Sequence, residues 1–481
     1  MTPWLLGTLV VAGSAWHWGH GPALGADDHG QYLLHARALV EGRAYTDIGF
    51  INTPLTTLIG PVAEPPGLPL LIAGIFATLG ESVTAVRVLL ALSLWLVGLA
   101  VWQYWRRLED ETVALIVSLW TVVVLLRVHV VDTVLADLPF AAALWLVFLL
   151  MDAPQRVHGV RHYVTLALVG AFAFSFRMAA LPLLPAMLTY VRLVPGADRR
   201  RLLAVGGVWA LSAIGVMFLL PGAAALGSEV ARTPADFAHD LVVNAGASLQ
   251  GARRWIPIRL APGIANTALH AAFLLVAAYG AAVALRDNPR RFSYLTAAWY
   301  LVMLATIPTG SGRYLWPLYP MITFAFIRGL RSLCGLLRLR VRPAWGLAGA
   351  GVVLGTGSLQ DALGPQPRAL SNVPEAREIV AALQREAQAT PVRAAFFSPR
   401  VLTWETGIAA TAFSSGTPDE IYKEVRRVGL THVVVGDAGT YDLGREATAA
   451  MVAQNAGSFE PLLANKSFVL YKLRPATEPG R

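Results

Sequence analysis

The most informative stretch of this chain is residues 24–48, which read Leu-Gly-Ala-Asp-Asp-His-Gly-Gln-Tyr-Leu-Leu-His-Ala-Arg-Ala-Leu-Val-Glu-Gly-Arg-Ala-Tyr-Thr-Asp-Ile. Two adjacent carboxylates, Asp27 and Asp28, follow the first apolar segment, and the residues after them have the pattern of a short amphipathic helix. Acidic residues at the mouth of a membrane segment are costly unless they catalyse a reaction or bind a ligand. Their position favours an enzyme that works at a membrane surface.

The composition is that of a membrane protein. Of 481 residues, 55% are hydrophobic and only 14% are charged, with a mean hydropathy of +0.54, whereas soluble domains carry about 25% charged residues. The net charge of +9 is explained by arginines that face the cytoplasm and anionic lipid, so we expect no nucleic-acid partner. A single cysteine, Cys334, excludes an intramolecular disulfide and a thiolate metal cluster.

The pattern of apolar runs predicts a mainly α fold with two domains. Residues 1–360 are expected to form a polytopic transmembrane helical domain of about 11 spans, and residues 361–481 a small soluble α/β domain. The candidate spans are 3–19, 82–105, 112–128, 135–151, 162–176, 178–194, 202–220, 264–285, 292–308, 315–333 and 343–359. Residues 66–80 are apolar but shorter, and are interpreted as an interfacial or re-entrant helix.

Arginine clusters in alternate loops predict the orientation. The positive-inside rule places those loops in the cytoplasm, so the first external loop, residues 20–81, and the domain after residue 360 face outward. We therefore expect a multi-pass protein of a bacterial inner (plasma) membrane, with its acids and its C-terminal domain on the periplasmic or extracellular side. In that domain the pattern predicts helices at 374–388 and 417–428, and strands at 392–397, 431–435 and 467–473.

The adjacent acids have two interpretations. An aspartate before a helix commonly accepts backbone N–H bonds as a cap. One aspartate suffices for that, so one of the pair is expected to cap while the other is free to act. A carboxylate beside low-dielectric material has a raised pKa and can serve as a general base.

Four motifs, taken in chain order, resemble the GT-C superfamily of integral-membrane glycosyltransferases. This superfamily includes protein mannosyltransferases, aminoarabinose transferases and arabinofuranosyltransferases that use polyprenyl-phosphate sugars. The motifs are Asp27-Asp28-x-x-x-Tyr-Leu-x-x-Ala-Arg-x-Leu-x-x-Gly, Pro65-Pro66-Gly67-Leu-Pro-Leu-Leu-Ile-Ala, Leu135-Ala-Asp137-Leu-Pro139-Phe and Gly312-Arg313-Tyr314-Leu-Trp-Pro317-Leu-Tyr-Pro320.

The resemblance implies transfer of a sugar, with inversion, from a polyprenyl-phosphate donor to an acceptor hydroxyl on the external face. The acceptor is a glycan, a lipid or a protein. In that family the first acid of the loop is the usual base, a role that maps onto Asp27 with Asp28 assisting. Many relatives carry Asp-Glu here, which leaves both carboxylates as candidate bases, and some carry an aromatic residue where this chain has Gly30.

A departing polyprenyl phosphate needs its developing charge met by cations or by a metal. The outward-facing candidates for the phosphate are Arg177, Arg253, Arg254 and Arg313 with Tyr314. Candidates for other substrate contacts are His29, Tyr32, Glu64 and Asp137. The use of a divalent cation is left open, because the histidines near the acids, His17, His20, His29 and His35, lack the i, i+4 spacing of metal ligands.

Two other functions are kept as alternatives. A glycan polymerase or ligase would share the lipid-phosphate site and concentrate its basic residues in a late external loop, as residues 221–263 do. A transporter or lipid flippase would place charges near the bilayer midplane and show internal repeats. Here the charged residues collect at one face and no repeat relates the two halves, which favours the enzyme.

Overall fold

The structure is a computed structural model and describes residues 2–20, 27–59, 64–127, 133–152, 159–219, 243, 264–306, 312–337, 373–436 and 445–475. The apolar part of the chain is helical, as expected where hydrocarbon leaves backbone groups no other hydrogen-bonding partner. Its α-helices are α1 (Thr2–His20), α2 (Asp27–Val40), α3 (Gly67–Leu79), α4 (Val83–Arg106), α5 (Glu111–Arg127), α6 (Asp137–Met151), α7 (Val160–Phe176), α8 (Leu183–Leu193), α9 (Arg199–Leu219), α10 (Ile264–Asp287), α11 (Phe292–Thr306) and α12 (Tyr319–Leu336).

Every predicted span except 343–359 overlaps one of these helices, and 343–359 lies outside the described residues. By length and composition, three described segments can cross a membrane: Val83–Arg106, Arg199–Phe218 and Thr267–Asp287. The other apolar helices are shorter, so the number of spans stays a prediction.

Prolines break two of the predicted spans. The segment 178–194 divides into a 3-10 turn, Met178–Ala180, and α8, which begins after Pro182. The segment 315–333 begins inside a longer 3-10 helix, Gly312–Leu318, and its α-helical part, α12, begins only at Tyr319. A proline lacks the N–H that an α-helix interior requires, so the backbone tightens or restarts at these points.

The interfacial segment 66–80 forms α3, which starts directly after the two prolines. Gly67 allows it to approach the end of α7, because a Cβ at this position would lie 2.5 Å from the Ser175 hydroxyl oxygen. This contact places the start of α3, and the residues just before it, beside the C-terminal end of α7.

Buried aromatic residues hold the segment 312–318 in place. Trp145 of α6 donates from its indole N–H to the carbonyl oxygen of Pro317 at 2.9 Å. Trp145 in turn packs against Trp105, which stacks on Phe324 with ring centroids 3.7 Å apart. The 3-10 helix that carries Arg313 is therefore anchored to the core of the helical domain.

The C-terminal part is a small α/β domain with a mixed five-stranded sheet of order β2-β1-β3-β5-β4. Strands β1, β2 and β3 are parallel, and β5 pairs antiparallel with both β3 and β4. The elements are α13 (Pro374–Ala389), β1 (Arg393–Ala395), α14 (Pro399–Thr406), β2 (Ala409–Thr411), α15 (Pro418–Arg427), β3 (His432–Gly436), α16 (Arg445–Gln454), β4 (Phe459–Ala464) and β5 (Phe468–Leu473).

The sequence pattern located α13, α15, β1, β3 and β5, and the capping box between Thr417 and Glu420 at the start of α15 is present. The pattern did not reveal α14, β2, α16 or β4. Of these, α14 and β2 are short, with eight and three residues, and so show little periodicity.

The first external loop pairs with the edge strand of this sheet. The amide of Ile51 donates to the carbonyl oxygen of Ala410 at 2.8 Å, and the amide of Ala410 donates to the carbonyl oxygen of Gly49 at 3.1 Å. Close by, the Arg37 guanidinium lies 3.9 Å from the ring centroid of Trp404. The C-terminal domain is thus packed directly on the loop that carries the two acids.

Candidate active site

Asp27 is bound to the C-terminal domain. Its Oδ1 accepts from the backbone amides of Arg400 at 2.8 Å and Val401 at 3.4 Å, and its Oδ2 lies 3.3 Å from the Arg400 guanidinium. These amides belong to the first turn of α14, where N–H groups have no partner inside the helix. Asp27 therefore caps a helix of the other domain.

Asp28 faces a different cation. Its Oδ2 accepts from the Arg313 guanidinium at 3.0 Å, while its Oδ1 is 4.0 Å from that of Arg400. Arg313 comes from the 3-10 helix near the far end of the helical domain, so the fold joins residues 285 positions apart in sequence. The structure thus brings the first and the last of the four sequence motifs into contact.

A second, more deeply buried ion pair lies next to the first. Asp137, at the start of α6, accepts from Arg177 at 2.6 Å. The Tyr314 ring lies between the two arginines, with its centroid 5.4 Å from the guanidinium of Arg177 and 5.5 Å from that of Arg313. Tyr300 fixes the backbone of this tyrosine by donating from its hydroxyl to the Tyr314 carbonyl oxygen at 2.8 Å.

Glu64 lies near the same ion pairs, since the charges of Arg177, Asp28 and Arg313 act on it, and it is held in a network of aromatic and histidine side chains. Its carboxylate accepts from the Tyr32 hydroxyl at 3.1 Å, and its carbonyl oxygen accepts from Tyr45 at 2.7 Å. The Glu64 amide donates to Nε2 of His35 at 3.4 Å, and Nδ1 of that ring is 2.7 Å from the Tyr45 carbonyl oxygen. These contacts fit a neutral imidazole with its proton on Nδ1, and burial accordingly lowers the pKa of His35 to about 4.

The electrostatic setting differs between the adjacent acids. Burial raises the pKa of Asp27 to about 6, because the loss of solvation outweighs the opposing effect of Arg400. Burial also acts on Asp28, but Arg313 and Arg400 together outweigh it, and the pKa of Asp28 is lowered. Burial raises the pKa of Glu64, opposed by Arg177. At neutral pH, Asp28 is therefore the more fully ionised member of the pair.

Most of the sequence-predicted residues meet in this region. The set that the structure brings together comprises Asp27, Asp28, Tyr32, Glu64, Asp137, Arg177, Arg313 and Tyr314. His29 is buried in the first turn of α2, next to Asp28. Arg253 and Arg254 lie outside the described residues. Within the ranges that the structure covers, no group of three or more His, Cys, Asp or Glu side chains is arranged to hold a metal ion.

Sequence reasoning missed Arg400, Tyr300, His35 and Tyr45 as members of this region. His35 was considered with its neighbouring histidines as a metal ligand or as an interfacial or acceptor contact, and the tyrosines carry no motif. Arg400 follows a Ser-Pro pair that is typical of a helix start, but nothing local indicates an acid 373 positions away.

Comparison with known proteins relates this arrangement to membrane transferases. A family model described as dolichyl-phosphate-mannose-protein mannosyltransferase matches residues 63–224. No curated protein matches the sequence. Solved structures do match over most of the chain.

A crystal structure of ArnT from Cupriavidus metallidurans bound to undecaprenyl phosphate aligns with a TM-score of 0.60 at 13% identity, covering 100% of both chains. The Archaeoglobus fulgidus oligosaccharyltransferase in complex with zinc and sulfate aligns with a TM-score of 0.55 at 14% identity, covering 92% of this chain and 70% of that one. The archaeal AglB of the same organism, in complex with an inhibitory peptide and a dolichol-phosphate, aligns with a TM-score of 0.52 at 14% identity, covering 89% and 69%. These matches, together with the family model, support the resemblance seen in the motifs: the chain has the fold of the matched ArnT and oligosaccharyltransferase structures, and residues 63–224 match a glycosyltransferase family model.

Proposed function

We propose that this protein is a membrane glycosyltransferase that moves a sugar from a polyprenyl-phosphate donor to an acceptor hydroxyl on the external face, with inversion. One observation carries the proposal: a carboxylate, Asp28, lies 3.0 Å from the guanidinium of Arg313, beside a second arginine and a tyrosine. A base for the acceptor and cations for the leaving phosphate are thus neighbours on the same side of α2.

Asp28 is the better placed of the two acids to act as the base. Both oxygens of Asp27 are occupied by the first turn of α14 and by its arginine. Asp28 contacts α14 only through Oδ1, at 4.0 Å, and its side chain is 24% exposed against 17% for Asp27. This assignment reverses the order of roles that the family resemblance implied.

Arg313, Tyr314 and Arg177 are assigned to the donor phosphate. A guanidinium binds phosphate through two parallel N–H bonds, which suits a group whose charge grows as the bond to the sugar breaks. The Arg313 side chain is 27% exposed and is therefore accessible to a lipid headgroup. Arg177 is balanced by Asp137, so it contributes mainly by orienting the Tyr314 ring.

The reaction is a single displacement. The acceptor O–H transfers its proton to Asp28, the acceptor oxygen forms a bond to the anomeric carbon, and the bond from that carbon to the phosphate oxygen breaks. The polyprenyl phosphate leaves with the electron pair, and the configuration at the anomeric carbon is inverted. The negative charge of a bound donor would offset Arg313 and raise the pKa of Asp28, which makes it a stronger base when the donor is present.

The known ligands of the structural matches support this donor class. The matching ArnT structure holds undecaprenyl phosphate, and the matching AglB structure holds a dolichol-phosphate. The sugar, a hexose or a pentose, and the acceptor are identified by the experiment below. Transport of a lipid-linked sugar, the main rival, is distinguished by the same experiment.

The test uses cells that lack the protein and are complemented with the wild type, Asp28→Asn or Asp47→Asn. Asp47 is the matched control, because it lies in the same external loop and forms an exposed ion pair with Arg43. Mass spectrometry measures polyprenyl-phosphate sugars and surface glycans. Without the protein, and with Asp28→Asn, one lipid-linked sugar is expected to accumulate while one sugar is missing from a glycan, a glycolipid or a glycoprotein. The wild type and Asp47→Asn are expected to restore it.

Two results would reject the proposal. Full complementation by Asp28→Asn would remove Asp28 from the chemistry. An unchanged glycan profile in cells without the protein would favour transport over transfer.

A further inference from the structure

We infer that Arg400, in the external domain, is a positioning residue of this site: it holds Asp27 at the start of α14 and thereby sets Asp28 opposite Arg313. This inference rests on the proposed role of Asp28. It makes the C-terminal domain, which the sequence predicts only as a small soluble α/β domain, a part of the active site.

The first argument is the environment of Arg400. Its side chain is 0% exposed, with the guanidinium 3.3 Å from Asp27, 4.0 Å from Asp28 and 4.5 Å from the ring centroid of Phe50. A buried guanidinium is costly unless carboxylates meet its charge. The two acids and Arg400 therefore hold one another, and each of these partners belongs to the first external loop.

The second argument is the cap on α14. Among the described residues, Ser398 at the N-cap position makes no side-chain bond to this helix. The amides of Arg400 and Val401 are instead bound by Asp27. The Asp27 carboxylate thus accepts two backbone hydrogen bonds from α14 and also pairs with the Arg400 side chain. Together these contacts fix both the orientation of the carboxylate and its distance from α14.

The third argument is the close contact of the two backbones. A Cβ at Gly30 would lie 2.6 Å from the carbonyl carbon of Arg400 and 2.8 Å from the amide nitrogen of Val401. The first turn of α2 therefore touches the first turn of α14 with no side chain between them. Neither turn can slide along the other without a clash.

Together these contacts determine where Asp28 lies. Asp28 follows Asp27 in the same helical turn, so its Cα is fixed once Asp27 and Gly30 are fixed against α14. Its side chain then points about 100° around the helix axis from that of Asp27, toward Arg313. A displacement of α14 would move the carboxylate relative to the phosphate-binding residues.

The pH–rate profile distinguishes a positioning role of Arg400 from a purely structural one, because it depends on the charges around the two acids. Asp27 faces Arg400 and Asp28, whereas Asp28 faces Arg313, Arg400, His29 and, further away, Glu64. Removal of the Arg400 charge is expected to raise the pKa of both acids, so that the acidic limb of the pH–rate profile moves to higher pH by about one unit. Arg400→Lys keeps the charge and is expected to keep the limb near its wild-type position.

The experiment compares Arg400→Met, Arg400→Lys and Arg377→Met in purified full-length protein. Arg377 is the matched control, because it lies in the same domain and pairs with Glu405 at a solvent-exposed position. We expect Arg400→Met to lower kcat by about 10- to 100-fold and to shift the acidic limb, with partial rescue by lysine. Binding of undecaprenyl phosphate, measured by native mass spectrometry, is expected to stay within about twofold of wild type, because Arg313 and Tyr314 are unchanged.

A second measurement does not depend on sugar transfer. Hydrogen–deuterium exchange of residues 399–406 is expected to be faster in Arg400→Met and in Asp27→Asn than in the wild type. Arg377→Met removes only an exposed ion pair to Glu405 in the last turn of this helix and is expected to have a smaller effect. If Arg400→Met does not fold, the exchange of residues 399–406 is compared between the wild type and the milder variants Arg400→Lys and Asp27→Asn.

The outcomes separate the inference from the proposed function. A wild type that transfers no sugar overturns the proposed function, while exchange at 399–406 still reports on the contact between α2 and α14. A wild type that transfers sugar, with an Arg400→Met variant of normal kcat and pH profile, overturns the inference. So does a variant that loses kcat and undecaprenyl phosphate binding together, with an unmoved acidic limb and no rescue by lysine, since that pattern indicates a structural role alone.

Discussion

Gly30→Ala tests the contact between the two domains with the smallest possible change. The added methyl carbon would lie 2.6 Å from the Arg400 carbonyl carbon, whereas ordinary van der Waals contact begins at 3.4 Å. The two backbones must therefore separate by about 0.8 Å at this point. The same separation stretches the bond from the Arg400 amide to Asp27, now 2.8 Å, to about 3.6 Å, which is too long for a hydrogen bond.

The size of the effect follows from these distances. Loss of the cap costs about 1 kcal/mol, and overpacking of a tight contact costs about 1–3 kcal/mol. Helix propensity works in the opposite direction, because alanine is favoured over glycine in a helix by about 1 kcal/mol. Any net loss of stability in Gly30→Ala must therefore come from the contact with α14, because helix propensity alone would stabilise the variant. A misplacement of this size at Asp28 is expected to lower kcat by about 100-fold, with little change in the donor KM.

The assays are thermal unfolding of the detergent-purified protein and sugar transfer with the donor identified by mass spectrometry. Gly74→Ala is the control, because Gly74 lies inside α3 and a Cβ there meets no atom within 4 Å. This control is expected to match or exceed the wild-type Tm and to keep full activity. A Gly30→Ala variant with wild-type Tm and kcat would refute the reasoning that α2 and α14 are held in this register.

Three further predictions follow from the ion pairs and the pKa shifts. Arg313→Gln is expected to weaken undecaprenyl phosphate binding by about 10- to 100-fold, because a charged hydrogen bond to the phosphate is lost. Asp28→Asn is expected to bind undecaprenyl phosphate as tightly as the wild type or more tightly. Native mass spectrometry measures both affinities. The pKa of Asp27 is raised from 3.8 to about 6 in the folded protein, so the folded state binds this proton more tightly than the unfolded chain. Protonation of Asp27 therefore contributes to stability below pH 4, and this contribution is lost as the pH rises through 6. The Tm of the wild type should therefore fall between pH 4 and 6 relative to that of Asp27→Asn in scanning fluorimetry; equal slopes would contradict the shift. Asp137→Asn leaves Arg177 buried without its counter-charge and should cost about 3–5 kcal/mol, seen as a lower Tm that Arg177→Met partly restores in the double variant; an unchanged Tm would show that the pair is not buried in solution.

Much of the helical domain could be predicted from the sequence. Runs of apolar residues predict helices because hydrocarbon allows the backbone few other ways to pair its polar groups. The prolines at positions 65 and 66 correctly marked the start of α3. The 3-10 helix Gly312–Leu318 was not predicted, since its prolines act on a segment that composition alone assigns to a span.

The candidate site was only partly visible in the sequence. The motifs named Asp28, Arg313 and Tyr314 separately, and the structure places them together. The motifs did not distinguish the two acids, because adjacent carboxylates look alike until their partners are known. No sequence pattern marked Arg400 as a site residue, since an arginine in a small α/β domain is ordinarily solvated at the surface.

The sequence by itself indicated a helical membrane protein, predicted the face that carries its acids, and contained the motifs that resemble a known superfamily. These properties depend on hydropathy, on the distribution of arginine and on short local patterns, all of which can be read along the chain. Only the tertiary structure decided that Asp27 binds α14 while Asp28 faces Arg313. The physical reason is that the two acids differ in their partners, which lie 373 and 285 positions away. The first contact forms only when the C-terminal domain packs on the first external loop, and the second only when the 3-10 helix Gly312–Leu318 packs beside that loop.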